Sequence, residues 1–159
     1  MNTDLVLQHF AQCRGFVEEA MKDVPDERMA EQFPGLPNHP AWTMTHLAVA
    51  HDFANQVLGG QTVCPKAWNE LANPGTTPVA DRSTYAAKNE LMTKYGEAAA
   101  GLEATVRAAE PDTWGRESPE FIRSFAPTLG HLATYMLAAH DQYHLGQLMC
   151  WRRAAGLLK

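Results

Sequence analysis

The sequence predicts an all-α fold, a four-helix bundle with long loops, and three observations carry that prediction. Apolar residues recur at spacings of three and four over four long stretches. Runs of β-branched residues are scarce, and no stretch alternates as a strand would. Prolines and glycines collect between the periodic stretches rather than inside them. The 159 residues suit one domain, residues 1–159, with enough chain to bury a core without disulfides.

The first helix is expected from about Thr3 to Asp23, where Val6, Phe10, Cys13, Val17 and Ala20 line one face. Pro25, Pro34, Pro37 and Pro40 break the chain after it. Pro40 suits the opening of the second helix, because its missing N–H has no partner there in any case, and Gly59-Gly60 should close that helix. Its apolar stripe is Val49, Phe53 and Val57. Residues 61–80 carry Pro65, Pro74, Gly75 and Pro78 and read as a long loop with one short turn near Pro65 to Leu71. A loop of that length in a compact fold often borders a functional site.

The third helix is expected over about Arg82 to Ala109, capped by Ser83 or Asp81. Its stripe is Tyr85, Met92, Tyr95, Ala99, Leu102 and Val106, with Lys88 out of character. Pro111 ends it, and Ser118-Pro119-Glu120 marks the start of a short extra helix. The fourth helix should run from about Thr128 to Ala155, stopping at Gly156. It echoes the second: His46-Leu47-Ala48 resembles His131-Leu132-Ala133, and His51-Asp52 resembles His140-Asp141.

Composition excludes several function classes. A net charge of -5 and the lack of a basic stripe argue against nucleic-acid binding. Met1-Asn2-Thr3-Asp4 is not the basic start of a secretory signal, and no apolar run is long enough to span a bilayer. The expected setting is cytoplasmic. Cys13, Cys64 and Cys150 show no metal or disulfide spacing; two are expected in helix cores, and Cys64 in a loop. Expected partners are a small-molecule substrate and a second copy of the chain in a homodimer, without nucleic acid or membrane.

Seven histidines are the most informative residues. His140 and His144 stand four apart, so both rings lie on one side of the helix and can reach one ion. Leu129, Leu132, Met136, Leu137, Leu148 and Trp151 share that stripe, which turns the pair inward. A buried imidazole must bind hydrogen-bond partners or metal. His46, on the second helix's apolar stripe, is the third candidate ligand. His51 should face outward or toward a helix boundary, His131 should lie at the surface, and His9 and His39 have no partner pattern. Three inward histidines leave a divalent ion with open positions, which suits chemistry rather than a closed structural site.

Trp42-Thr43-Met44-Thr45-His46-Leu47 and His140-Asp141-Gln142-Tyr143-His144-Leu145-Gly146-Gln147-Leu148 resemble the DinB/YfiT-like superfamily. The resemblance implies a four-helix bundle of about this length. It further implies a divalent metal, zinc or nickel, on His46, His140 and His144. For activity it implies several chemistries, among them S-transfer and isomerisation with a low-molecular-weight thiol. Many members have no assigned activity, so a non-catalytic metal-binding protein, stress-related or not, is the alternative to a transferase, isomerase or hydrolase.

Rival motifs fail. A di-iron bundle needs Glu-x-x-His, which the chain lacks, and a zincin needs Glu where Asp141 stands. The remaining rival has the histidines as plain core hydrogen-bonders. Tyr143 is expected to pack between helices, Gln147 either to orient a ligand or to satisfy a polar spot, and Trp42 and Trp68 to join the core. No catalytic or cofactor-binding residue beyond the metal ligands is assigned.

Overall fold

The computed structural model describes residues 2–158; Met1, part of the non-basic start noted above, and Lys159 lie outside them. Helix α1 spans Thr3–Met21, α2 Pro40–Val57, the short α3 Ala67–Ala72 and α4 Lys88–Ala108. The last long helix is composite: α5 over Leu129–Tyr135, a π turn over Met136–His140, then α6 over Asp141–Ala154. The fold is all-α, and among the described residues the only β pairing is an isolated bridge between Glu117 and Thr128. None of the described helices is long and apolar enough to cross a membrane.

Local chemistry fixes the helix ends. The Asn2 side chain accepts from Leu5 N and starts α1; Thr128 accepts from His131 N and starts α5. At α2, Pro40 takes the first position and His39 acts as the cap, its Nδ1 accepting from Trp42 N at 3.2 Å. Gly59, at φ +95°, closes α2 in a conformation that side chains resist.

The start of α4 departs from expectation. Asp81 accepts from Ser83 N, but the turn it caps covers only Arg82–Thr84. The Arg82 guanidinium takes the Tyr85 and Ala86 carbonyls, so the chain turns there and the helix begins at Lys88. Asp26, distant in sequence, accepts from Lys88 N at 2.6 Å and so caps α4 from the turn after α1. Lys88, odd on an apolar stripe, donates its ammonium to the Lys22 and Val24 carbonyls at the end of α1.

The helices pack as α2 on α4 and α1 on α6, with α3 laid against α2. Every residue from Pro40 to Val49 is buried, so α2 is the central helix. Two apolar clusters form. One holds Val17, Leu47, Tyr95, Leu148 and Trp151; the other holds Phe10, Ala54, Leu102, Leu132 and Met136. Along α2 and the last helix, the buried polar residues His51, His140, Asp141 and His144 fall between these two sets. Of the cysteines, Cys13 is buried, but Cys150 is exposed on α6 rather than in the core.

Candidate metal centre

The His140–His144 spacing works as helical geometry requires: both rings face α2, and His46 meets them. One nitrogen from each ring lies within 4.8 Å of the other two, and all three residues are buried. His46 Nε2 stands 3.2 Å from His140 Nε2. Two imidazole nitrogens on one tetrahedral ion at about 2.0–2.1 Å would stand roughly 3.3 Å apart, so the spacing suits a shared metal.

The outer contacts set the tautomers. A carbonyl oxygen can only accept, so His46 Nδ1–H donates to Ala72 O at 2.6 Å and leaves the Nε2 lone pair free. His144 Nδ1–H donates to Gln147 Oε1 at 2.9 Å, which likewise frees its Nε2. Asn38 Nδ2 donates to the same oxygen at 3.0 Å and holds the amide in place. Gln147 is thus an orienting residue for His144. Trp42 stacks on the His46 ring at 4.8 Å, nearly parallel, and its indole N–H donates to Thr76 Oγ1. His140 is the least satisfied: its Nδ1 is buried with no hydrogen-bond partner, and the nearest carboxylate oxygen, Asp141 Oδ1, is 3.9 Å away. Three converging ring nitrogens, two of them with lone pairs left free by their outer contacts, fit a divalent cation better than they fit a closed hydrogen-bond network.

The site is electrically prepared for a cation. Burial, then the neighbouring His144 and His46, pushes the His140 pKa down to about 2. Burial and His46 bring His144 to about 4. Burial also lowers His46, against the opposing bond to Ala72. All three are neutral at pH 7, with lone pairs available.

His51 is where the sequence misleads. It is fully buried, not outward, and its Nε2–H donates to Asp141 Oδ1 at 2.8 Å. The Tyr95 hydroxyl donates to Asp141 Oδ2 at 2.6 Å. Burial alone would raise the Asp141 pKa; His51 and Tyr95 more than offset it and keep the carboxylate ionised. The apolar stripe Val49, Phe53 and Val57 runs along the side of α2 that borders the cavity, half-buried at Phe53 and Val57. His51, on the opposite side of α2, points into the core, which is why a phase set by that stripe misplaced it. The echo of His51-Asp52 in His140-Asp141 was the one available signal.

The remaining predicted residues separate cleanly. His131 is exposed and bonds Thr128. Tyr143 does not pack between helices: it is 62% exposed and touches His144 edge-on at 5.0 Å. Trp68 is in the core. Cys64 is not an activated thiol, since burial and Asp52 push its pKa up. Asp52 itself accepts from Val63 N and Cys64 N, pinning the 61–80 loop to α2. That loop carries α3, and α3 supplies the Ala72 carbonyl to His46.

A cavity of about 570 Å³ opens onto His46 and His140. Phe53, Leu132, Tyr135 and Met136 form its walls, and Asn69 and Asn73 stand at its rim. The arrangement can hold an ion with one side facing a space large enough for a small molecule.

A family model described as the DinB superfamily matches residues 9–148, most of the chain. No curated protein matches it.

Proposed function

The chain belongs to the DinB superfamily, and on that premise we propose that it binds one divalent ion, zinc or nickel, through His46, His140 and His144 and acts on a small molecule beside it. The observation that supports this most directly is the convergence of three neutral imidazoles, two of which line a cavity. Imidazole suits both metals, and three protein ligands leave positions open. When bound, such an ion supplies a charge that lowers the pKa of a coordinated water or low-molecular-weight thiol.

The chain's own residues do the rest. Ala72 O and Gln147 Oε1 hold two rings with their Nε2 lone pairs turned inward. Trp42 closes one face of His46 against water. The cavity admits the substrate at His46 and His140, which supports a transferase, isomerase or hydrolase reading over a sealed structural site.

Elemental analysis of untagged protein offered zinc and nickel tests the centre. About one ion per chain is expected; His140→Ala loses it and His131→Ala keeps it. Failure of the wild type to take up either metal, or equal retention by both variants, overturns the assignment. The thiol is tested by titrating one into cobalt-substituted protein. A thiolate-to-metal absorption band is expected, and its absence with every thiol tried removes the thiol from the reading.

A further inference from the structure

The cavity beside the histidines has a chemical character of its own. Among its lining residues there is no aspartate, glutamate, lysine or arginine. Its walls come from α2, α5 and the π turn: Phe53, Leu132, Tyr135 and Met136. Its mouth carries exposed aromatic surface. Phe125 is 56% exposed and meets Tyr135 edge-on at 4.7 Å; beyond the lining, Phe121 is 74% exposed and stands 6.2 Å from Phe53. Exposed aromatic surface at and beside the lip of an apolar cavity favours an apolar ligand that covers it. The polar groups at the rim are the neutral amides of Asn69 and Asn73. Asp52 and Lys66 line a separate space of about 310 Å³ that shares Val49, Phe53 and Asn69 with this one.

We infer that this cavity takes an uncharged molecule with an aromatic or branched apolar tail, whose polar reacting end lies against His46 and His140. The inference deepens the metal-centre reading and rests on it for the reacting end alone. The volume of about 570 Å³ lies in the range of small-molecule sites. A carboxylate or phosphate on the tail, away from the histidines, would lose its hydration without meeting a cationic side chain among the lining residues. Asn69 and Asn73 offer donors and acceptors to a neutral polar substituent at the mouth.

Two measurements test it separately from the metal. First, metal-free protein is titrated with the uncharged fluorophore N-phenyl-1-naphthylamine. Saturable enhancement at about one probe per chain is expected, lost in Ala50→Phe, which fills the cavity from α2, and weakened in Phe125→Ala, an exposed position whose change spares the core. Second, zinc-loaded protein is titrated calorimetrically with acetohydroxamate, benzohydroxamate and 4-carboxybenzohydroxamate. Benzohydroxamate should bind roughly tenfold tighter than acetohydroxamate, from burial of its ring. The added carboxylate should cancel about that gain. Phe125→Ala should shrink the benzohydroxamate preference while leaving acetohydroxamate unchanged. Absence of fluorophore binding, binding that neither variant alters, or equal affinity for all three hydroxamates overturns the inference and leaves the metal centre standing. If no zinc is taken up, the metal reading fails, and the fluorophore titration still decides the cavity.

Discussion

At the scale of single residues, the centre depends on which nitrogen of each imidazole carries its proton. Ala72 O and Gln147 Oε1 each accept an Nδ1–H, so the Nε2 lone pairs of His46 and His144 turn inward. Removing such an outer partner usually costs about 10–100-fold in metal affinity. Gln147→Leu keeps the bulk and removes the acceptor; it should weaken zinc affinity by that order in competition with a chromophoric chelator, with the helical signal unchanged. Wild-type affinity in this variant would show that the amide orients nothing. The proposed ligands are legible in the sequence, because four-residue spacing on an apolar stripe is a side-chain pattern. Gln147 is half legible, as a polar residue three positions past His144. Ala72 is not legible at all: it contributes a main-chain carbonyl, and any residue carries one. His51 is illegible for a different reason: the apolar residues Phe53 and Val57 mark the half-exposed side of α2, so the stripe that reads as the core side is the wrong one.

At the scale of elements, the π turn over Met136–His140 is the feature that aims the histidines. An α-helix advances about 100° per residue. The wider turn inserts a residue, so Leu132 and Met136 can pack into one apolar cluster while His140 and His144 still face His46. The turn also meets α1: His9 Nε2 lies 3.2 Å from the Ala138 carbonyl. Deleting the exposed Ala139 removes the extra residue, and the turn can close to a continuous α-helix with its two halves still in phase, because four α residues sweep about the angle of the five-residue π turn. The expected result is a protein that remains helical by circular dichroism and still takes up zinc. Loss of zinc uptake by the deletion variant would show that the wide turn does more than absorb one residue. Asp141, at the junction, bonds both His51 and Tyr95, so Asp141→Ala leaves two buried donors unpaired and should cost about 3 kcal/mol in denaturant unfolding. The long helices were legible from period and punctuation. The π turn was not, because Met136–His140 reads as ordinary helix. The late start of α4 was hidden too, since it depends on Arg82 and Asp26 meeting across the fold.

At the scale of the whole molecule, a layer of buried polar groups lies between two apolar clusters, and that placement ties stability to pH and to metal. His39, His46, His140 and His144 are all held below their ordinary value of 6.5, chiefly by burial. The unfolded chain therefore binds more protons than the folded one once the pH drops under 6.5, and stability rises with pH in that range. Their contribution is complete above 6.5 and is lost as the pH falls, through about 4 for His144 and toward about 2 for His140. Metal-free protein should melt progressively lower from pH 7 to pH 4, and a flat profile would mean that these rings are not buried as neutral groups. Metal should steepen the same dependence, because protons and the ion compete for the same lone pairs. At pH 7, saturation with zinc at a hundred times its dissociation constant adds about 2.7 kcal/mol, seen as a higher Tm. The two clusters do not need that increment to form: Phe10, Leu102, Leu132, Leu148 and Trp151 are buried by helix packing alone. Chelation at pH 7 should thus lower the Tm while the far-ultraviolet spectrum at 25 °C stays helical. Collapse of that spectrum on chelation would mean that the ion, rather than the apolar clusters, holds the four helices together.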